Sequence, residues 1–395
     1  MNIVIVGGGA AGLTAAIFAA GQGHTVTVLE QNEKPGKKLL ATGNGRCNLT
    51  NLDQKKECYR SSRPEKAARI LEQFPVSSVI SFFMELGIYT KNRDGWIYPN
   101  SGQASAVLAV LLMEAQYRKV KMKTRETVTA ITRETDGSYL VHTRGWKYPA
   151  DRVIITTGSP ASEIAGSSAD GLQFADELGI RSIPFAPALC PLKCSGAEFQ
   201  KWSGVRADGR VTLFLDGVPV VSESGELQLT SYGISGIPVF QVSRYAVRAL
   251  EEGALVEAEL DFFPDMEEDA FAALLNHRMM SCTYKTQEEL LIGLLPDKLI
   301  PLALRDGREL DVIAHAVKHV RLKVKDSAGF ERAQVSSGGV DLAEVSDQLE
   351  SLRYPGLYFA GEVLDVDGAC GGYNLHWAWV TGAIAGFSAA KEEEE

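Results

Sequence analysis

Apolar residues at the start of the chain come in two short unbroken runs, with a glycine turn and an alanine-rich stretch between them. Residues 3–6 are apolar and β-branched without alternation, which predicts a strand that is covered on both faces. Residues 13–20 favour a helix, and residues 25–29 form a second β-branched run that ends at Glu30. The pattern therefore predicts a strand–helix–strand unit of a parallel sheet.

The turn between the first predicted strand and helix has the sequence G-x-G-x-x-G, formed by Gly7, Gly9 and Gly12 with Ala10 and Ala11 between them. In a dinucleotide-binding unit the first glycine makes the tight turn, the second admits the pyrophosphate, and the third lets helix and strand pack closely. The helix N-terminus adds free N–H groups and a partial positive charge. We therefore predict a dinucleotide site rather than an ordinary glycine loop.

The second predicted strand ends in a carboxylate, Glu30, which follows Gly12 by 18 residues. A carboxylate at this spacing accepts hydrogen bonds from the ribose hydroxyls of a bound dinucleotide. It also repels a 2′-phosphate by charge, so we expect an adenosine ribose without that phosphate.

A long polar loop, residues 31–51, follows this unit and is dense in glycine, lysine and asparagine without a hydrophobic period. Loops of this length in compact domains are usually functional, and the alternative is a solvated surface loop. Lys37, Lys38 and Arg46 suit a ligand that carries negative charge. We predict that this loop contributes to the dinucleotide site.

The end of the chain repeats the opening pattern. Residues 356–362 form an apolar run that ends at Gly361 and Glu362, and the glycine-rich residues 365–374 precede an apolar stretch that predicts a buried terminal helix. Ligands of open parallel sheets lie beyond the carboxyl ends of the strands. We therefore expect the first and last segments to meet at one site.

The residues between the opening unit and the end of the chain predict further helices and strands. Residues 64–87 predict two amphipathic helices, and residues 119–130 and 138–142 predict strands of a small antiparallel sheet. Residues 152–158 form another buried strand that runs into a glycine. The predicted organisation is a discontinuous dinucleotide-binding domain (1–188 and 341–395), an inserted β-domain (189–264 and 320–340) and a helical cap (265–319).

The composition is that of an ordinary globular protein, with 45% hydrophobic and 23% charged residues and a net charge of −10. The acidic balance favours a small-molecule substrate over nucleic acid or a membrane surface.

The first strand begins almost at Met1, so we expect no secretion signal, and residues 375–390 are too short and interrupted to span a membrane. Six cysteines without C-x-x-C spacing favour reduced thiols in the cytoplasm, and residues 392–395 read as a solvated acidic tail.

Several segments together resemble flavoproteins with two dinucleotide-binding folds: the opening motif with Glu30, the strand end at residues 156–158, and residues 360–365. More narrowly, residues 42–51, T-G-N-G-R-C-N-L-T-N, are similar to a motif of BaiN-like flavoproteins, a group that includes bile-acid dehydro-reductases and aminoacetone oxidases. Residues 336–340 and 361–374 also resemble that family. The resemblance implies an α/β fold with a discontinuous Rossmann-like FAD domain, an inserted β-barrel-like domain and a small helical cap.

The resemblance also implies where FAD binds. The backbone of Val128 is expected to contact the adenine, and Asp365 or Asp367 to reach the ribitol or pyrophosphate. The start of the terminal helix would place N–H groups near the flavin, where a helix N-terminus stabilises the negative charge of reduced flavin. The full set of expected FAD-binding residues is Gly7, Gly9, Ala10, Ala11, Gly12, Glu30, Gln31, Lys38, Thr42, Gly43, Asn44, Gly45, Arg46, Cys47, Asn48, Val128, Thr157, Gly158, Gly361, Glu362, Asp365, Asp367, Gly372, Tyr373, Asn374 and Leu375.

No catalytic residue follows from the sequence, although three are candidates. Cys47 could be redox-active, His376 could donate to a substrate, and Tyr373 could donate its phenolic proton to a carbonyl; each is more simply a packed residue. His315 and His319 are four residues apart on a predicted helix, but no third ligand is apparent, so we predict no metal site.

Four functions are compatible with these features. FAD would carry the redox chemistry, and because no second G-x-G-x-x-G follows a strand, NADH or NADPH would dock only transiently. We favour an NAD(P)H-driven reductase of an activated C=C, such as a steroid-like enone. The alternatives are an amine oxidase that uses O₂, an FAD-dependent RNA-modifying protein, which the charge balance disfavours, and a protein that keeps FAD only as a structural ligand.

Overall fold

The computed structural model describes residues 1–164, 166–196 and 198–391. The chain forms two compact units, one from Met1–Phe185 with Val335–Glu395 and the other from Ala186–Gln334. The predicted acidic tail at residues 392–395 lies outside the described residues. The finer division of the insert into a β-domain and a helical cap stays a prediction.

A five-stranded parallel sheet forms the centre of the first unit, which confirms the predicted parallel sheet, although one of its strands was predicted elsewhere. Its strands, in spatial order, are Leu357–Phe359, Arg152–Ile155, Asn2–Val6, Thr25–Glu30 and Lys121–Thr124. The opening strand lies in the middle, and Ile3, Ile5 and Val28 are fully buried. Burial on both faces explains why the opening strand carries an unbroken β-branched run instead of an alternating one.

Two helices of the first unit pack against each other at very close range. They are the first helix, Ala10–Gly21, and the terminal helix, Tyr373–Ala389. A Cβ atom at Gly382 would lie 2.5 Å from the carbonyl oxygen of Ala11, and one at Gly386 would lie 2.4 Å from that of Ala15. The two glycines therefore allow a backbone approach that no larger residue permits. The terminal helix is buried, as predicted.

The remaining elements of the first unit surround this core. The other α-helices are Lys37–Ala41, Pro64–Glu72, Val76–Glu85, Ala104–Tyr117 and Asp170–Glu177. The small sheets consist of Lys147–Ala150, Tyr139–Thr143 and Val128–Arg133; of Thr50–Asn51, Trp96–Pro99 and Thr90–Arg93; and of Asp367–Gly368 with Tyr59–Arg60. A further strand, Ser182–Ala188, pairs with Val335–Val340 and contains the point in the chain at which the first unit ends, Phe185.

One strand prediction was wrong. Residues 119–130 were expected to lie in an antiparallel sheet, but Lys121–Thr124 pairs in parallel with Thr25–Glu30 and extends the main sheet. Arg125 interrupts the run with a φ of 59°, and only Val128–Arg133 joins the antiparallel sheet. A left-handed residue that was not recognisable in the sequence therefore divides one predicted strand between two sheets.

The second unit contains a closed barrel, which confirms the barrel-like insert. Its strands, in order, are Leu192–Cys194, Gly233–Ser235, Val218–Thr230, Arg206–Leu215, Val256–Asp261 and Val320–Ser327. The long hairpin from Arg206 to Thr230 alternates in burial along its first strand. This alternation is the pattern expected of strands with one face towards the barrel interior.

The α-helices of the second unit are Phe199–Trp202, Ile237–Glu251, Glu268–Ser281, Gln287–Leu291, Ile300–Ala303 and Leu310–Lys318. The last four occupy the region where the sequence predicted helices. Ile237–Glu251 was missed, because it lies inside a stretch that was interpreted as strands. Its buried residues Val239, Val242, Ala246 and Val247 recur at helical spacing, and that period was the available signal.

In the described part of the chain, no helix combines the length and the apolar character needed to cross a membrane.

Candidate dinucleotide and flavin site

The glycine turn after the first strand has the geometry that its sequence predicts. Gly7 has a φ of +108°, and a Cβ atom there would lie 2.5 Å from the carbonyl oxygen of Thr156. A Cβ atom at Gly12 would lie 1.9 Å from the oxygen of Gly7, whereas one at Gly9 would meet no protein atom within 4 Å. Gly7 and Gly12 therefore serve the protein's own packing, and Gly9 leaves open space beside the helix N-terminus.

The N-terminus of the first helix has hydrogen-bonding capacity for a ligand. Gly9 caps the helix without a side-chain hydrogen bond, and its oxygen accepts the N–H of Leu13 at 2.9 Å. The N–H groups of Ala10, Ala11 and Gly12 precede that first bond and have no intrahelical partner. Such groups, together with the helix dipole, suit a phosphate.

Glu30 is buried at the end of the second strand and is held in place by three donors. Its Oε2 accepts the N–H of Gly8 at 2.9 Å, and its Oε1 accepts the N–H and the Nδ2 of Asn32, each at 2.8 Å. A carboxylate accepts about four hydrogen bonds. Glu30 thus braces the glycine turn and retains an acceptor position for a ribose hydroxyl.

Val128 begins its strand close to this carboxylate. The N–H of Glu126 donates to the backbone oxygen of Glu30 at 3.0 Å, and that of Arg125 donates to the oxygen of Asn32 at 3.0 Å. The backbone that leads into Val128 therefore runs beside the end of the second strand. This is the side on which the adenosine half of a dinucleotide is expected.

The first and last segments of the chain meet, as expected. A Cβ atom at Gly361 would lie 2.8 Å from the Cβ of Ala11. Lys38 Nζ and Glu362 Oε2 form an ion pair at 2.7 Å, and Glu362 Oε1 accepts the N–H of Ser336 at 3.1 Å. Ser336 was not among the predicted site residues, since only the fold brings it to Glu362.

The loop that carries the family motif adopts an uncommon backbone conformation. Gly43, Asn44, Gly45 and Cys47 all have a positive φ, between 55° and 80°. The N–H of Cys47 donates to the oxygen of Thr42 at 3.0 Å and closes the turn. Residues 43–46, including Arg46, are exposed. A non-glycine residue with positive φ is uncommon, so the turn is specified by its glycines and by Asn44.

Asn48 lies against the start of the terminal helix. Its side chain is buried, and within the described residues neither its Nδ2 nor its Oδ1 has a hydrogen-bond partner. A Cβ atom at Gly372, the residue that caps the terminal helix, would lie 2.9 Å from Asn48 Cγ. A buried amide without a protein partner is costly. Its position therefore fits a polar ligand edge at this helix N-terminus.

Polar side chains stabilise the glycine-rich turn, residues 365–374, that leads into the terminal helix. Asp365 Oδ2 accepts the N–H of Ser62 at 2.8 Å and its hydroxyl at 2.6 Å. Asp367 is buried and pairs in backbone register with Arg60. Asn374 Oδ1 accepts the N–H of Gly368 at 2.8 Å. Ser62 was missed by the sequence analysis, and no local pattern marks it because 303 positions separate it from Asp365.

The other expected site residues lie at the same edge of the sheet or beside it. Thr157 Oγ1 is buried and, within the described residues, has no hydrogen-bond partner, and Gly158 has a φ of +74°. Gln31 Nε2 donates to the oxygen of Gly166 at 2.8 Å. Leu375 is half-buried in the first turn of the terminal helix.

Burial favours the neutral form of each of the three catalytic candidates. Burial raises the pKa of the Cys47 thiol to about 12, so that this cysteine is not a thiolate at neutral pH. Desolvation lowers the pKa of His376 to about 4, and its Nδ1 lies 2.8 Å from the hydroxyl oxygen of Thr50. Burial also raises the pKa of Tyr373. A neutral imidazole, a thiol and a phenol are thus present at neutral pH.

Together, these features fit FAD. The unobstructed space beside Gly9, the unpaired N–H groups of the first helix and the spare acceptor of Glu30 suit the adenosine diphosphate half. The unpaired amide of Asn48 and the N-terminus of the terminal helix suit the polar edge of a flavin.

Comparison with known proteins agrees with this site. Residues 1–388 match the family model described as the HI0933-like protein Rossmann domain. The chain is 44% identical to a 3-dehydro-bile acid delta(4,6)-reductase of Clostridium scindens over 99% of both chains. It is also 29% identical to a ribosomal RNA dihydrouridine synthase of Haemophilus influenzae over 98% of both chains.

Two solved structures share the fold. A 3-ketosteroid delta1-dehydrogenase of Sterolibacterium denitrificans matches with a TM-score of 0.54 and 12% identity, over 98% of this chain and 99% of that one. A 3-ketosteroid-delta4-(5alpha)-dehydrogenase of Rhodococcus jostii matches with a TM-score of 0.50 and 14% identity, over 99% and 96%. The family resemblance inferred from the sequence is confirmed, and the chain belongs to the HI0933-like Rossmann family.

Proposed function

We propose that this protein is an FAD-dependent reductase that adds hydride to a C=C conjugated to a carbonyl, in a steroid-like or bile-acid-like enone. The observation that carries the proposal is the 44% identity to a 3-dehydro-bile acid delta(4,6)-reductase over 99% of both chains. At that identity and coverage, the relative and this chain share the whole scaffold on which such a reaction is built.

The chain's own residues would bind and orient the cofactor. The N–H groups of Ala10, Ala11 and Gly12 would hold the pyrophosphate, and Glu30 would accept from the ribose. The Lys38–Glu362 ion pair would fasten the glycine-rich loop to the end of the last strand. Bound FAD supplies the hydride-transfer chemistry, and the protein supplies position and electrostatics.

A hydrogen-bond donor is needed where negative charge develops on the substrate, because hydride addition to an enone places charge on the carbonyl oxygen. Tyr373 stays our candidate, because it is the first residue of the terminal helix, beside the proposed flavin edge, and its phenol can donate a hydrogen bond. NADH or NADPH is the proposed electron donor. It would dock transiently, because the sequence has no second G-x-G-x-x-G after a strand.

A second candidate is reduction of a uracil ring in RNA, which the 29% identity to a ribosomal RNA dihydrouridine synthase favours. The uracil double bond is also conjugated to a carbonyl, so the hydride chemistry is of the same type. The net charge of −10 and the higher identity to the bile-acid enzyme place the small-molecule substrate first.

The experiment is an anaerobic two-step titration of the purified, yellow protein. NADH or NADPH is added first, and the visible absorbance of oxidised flavin is expected to bleach. A 3-oxo bile acid with a conjugated C=C is then added and is expected to restore the absorbance in one turnover, with the saturated product found by mass spectrometry. Reoxidation by an unmodified ribosomal RNA transcript alone would favour the second candidate. Bleaching by an amine alone, with H₂O₂ formed in air, would overturn both.

A further inference from the structure

A cluster of three metal-ligating side chains lies in the second unit and includes none of the residues of the proposed flavin site. Glu268 is the first residue of the helix Glu268–Ser281, and His315 and His319 lie at the end of the helix Leu310–Lys318. One ligand atom from each of the three residues lies within 4.8 Å of each of the others. The sequence showed the histidine pair, and the fold supplies the third ligand from 47 residues upstream of His315.

The distances in this cluster match those between neighbouring ligands of one metal ion. His319 Nε2 lies 3.1 Å from Glu268 Oε2, and His315 Nδ1 lies 3.4 Å from Glu268 Oε1. Tetrahedral zinc sites have bond lengths near 2.0–2.1 Å, which separates their ligand atoms by roughly 3.3 Å. The three ligand atoms lie within 4.8 Å of one another, so that rotation of the side chains suffices to bring them around one ion.

A fourth residue orients one of the histidines. Glu259 Oε2 lies 3.2 Å from His319 Nδ1, on the other side of the imidazole from Glu268. The same oxygen of Glu259 accepts from Arg321 Nε at 2.8 Å, which fixes the carboxylate. A carboxylate on the far nitrogen sets the tautomer, so that Nε2 of His319 presents its lone pair to the cluster. Metal-bound histidines commonly have such an outer carboxylate.

We propose that Glu268, His315 and His319 bind one Zn²⁺ ion, with Glu259 as the positioning residue for His319 and water in the fourth place. Two imidazoles and one carboxylate form a donor set that zinc accepts. The side chain of His315 is 65% exposed, so the ion can enter from solvent. The ion would tie the start of one helix to the end of another, which is a structural role.

The test uses the tag-free, FAD-loaded protein after treatment with a chelator, titrated with ZnCl₂ in a calorimeter. We expect one Zn²⁺ per chain, and a rise in melting temperature with zinc concentration because the ion binds the folded state. Glu268→Gln and His319→Gln should each weaken binding by at least 10-fold, and Glu259→Gln by about 10-fold through the orientation of His319. His277→Gln is the matched control, since His277 is exposed on the same helix as Glu268, and it should bind as the wild type does.

Flavin absorbance and circular dichroism of each variant establish that it is folded. Co²⁺ in place of Zn²⁺ should give the visible bands of a tetrahedral site without a thiolate charge-transfer band, which excludes the cysteines as ligands. Absence of stoichiometric binding in the wild type would overturn the proposal. So would binding that Glu268→Gln and His319→Gln leave unchanged, in which case the cluster is only a pair of histidine–carboxylate hydrogen bonds.

Discussion

Lys38 Nζ lies 2.7 Å from Glu362 Oε2, although 324 positions separate the two residues in the chain. Lys38 belongs to the short helix that opens the glycine-rich loop, and Glu362 follows the last strand of the parallel sheet. The pair therefore joins the two segments that the sequence marked as ends of one dinucleotide site. Glu362 also accepts from the N–H of Ser336, which lies in the strand Val335–Val340. Its carboxylate therefore binds both the loop and that strand.

We expect Lys38→Met to weaken FAD binding. The substitution keeps the aliphatic stem but leaves Glu362 without its cation beside the proposed site, and the Lys38 side chain is one-third exposed, so solvent moderates the effect. A cost of about 1 kcal/mol, or roughly fivefold in Kd, is expected. Fluorescence titration of apoprotein with FAD measures it. Lys55→Met removes an exposed lysine paired with Asp53 and should leave the Kd unchanged; equal effects of the two variants would contradict the prediction.

Gly9→Ala should separate cofactor binding from folding. A Cβ atom at Gly9 meets no protein atom within 4 Å, and the backbone φ of −83° suits alanine. The unfolding free energy of the apoprotein should change by about 1 kcal/mol or less, the usual effect at a helix N-cap. The affinity for FAD should fall by at least about 10-fold, because the methyl group occupies the path of the pyrophosphate.

Gly145→Ala is the control for Gly9→Ala, since a Cβ atom there also meets nothing within 4 Å. It should change neither the unfolding free energy of the apoprotein nor the affinity for FAD. Normal FAD affinity in Gly9→Ala would mean that the dinucleotide does not pass this turn.

Gly12→Ala should destabilise the fold itself, unlike Gly9→Ala, which should weaken only FAD binding. Its Cβ atom would lie 1.9 Å from the oxygen of Gly7 and 2.6 Å from Thr156 Oγ1, so the first helix must move away from the sheet. We expect the apoprotein itself to lose about 3 kcal/mol of unfolding free energy, as measured by urea denaturation. An apoprotein as stable as the wild type would show that the helix can shift at little cost, and that Gly12 is not a packing requirement.

The contrast between the two glycines shows how much local sequence predicts. The motif and its setting predicted the turn, the helix and the carboxylate of Glu30, because each depends on residues close in the chain. The motif also predicted that Gly9 faces the ligand and that Gly12 serves close packing, but it could not identify Thr156, which follows the strand Arg152–Ile155, as the neighbour of Gly7 and Gly12.

The errors and omissions of the sequence analysis have the same physical origin. The strand at Lys121–Thr124 was assigned to the wrong sheet because pairing partners are set by the fold and not by the strand itself. The contacts of Asp365 with Ser62 and of His319 with Glu268 join residues far apart in sequence. The helix Ile237–Glu251 is different, because its apolar period was present and was overlooked among neighbouring strands.

The buried imidazole of His376 should make stability fall in mild acid. Desolvation lowers its pKa from 6.5 to about 4, so the unfolded chain binds a proton at a higher pH than the folded one. The contribution to stability is complete above pH 6.5 and is lost as the pH falls from 6.5 towards 4, by up to about 3 kcal/mol.

Urea denaturation of wild type and His376→Asn across this range measures that contribution as a difference, which cancels the carboxylates common to both proteins. Asparagine keeps an acceptor for the Thr50 hydroxyl. The wild type should lose stability more steeply below pH 6.5, and parallel pH profiles would show that His376 titrates normally.

Asn48→Leu should stabilise the apoprotein while weakening FAD binding. Neither amide atom of Asn48 has a protein partner within the described residues, so a leucine of similar shape removes the cost of two buried, unpaired groups. We expect a gain of about 1–2 kcal/mol in the unfolding free energy of the apoprotein and a loss of about 10-fold or more in FAD affinity.

Asn51→Leu is the matched control for Asn48→Leu. Asn51 is equally buried, but its Nδ2 donates to the oxygen of Gly371 at 3.1 Å and its Oδ1 accepts the N–H of Asp53 at 3.0 Å. That variant should destabilise the apoprotein, because both partners lose their hydrogen bonds. If Asn48→Leu destabilises it as well, the amide of Asn48 is satisfied within the protein and is not reserved for the flavin.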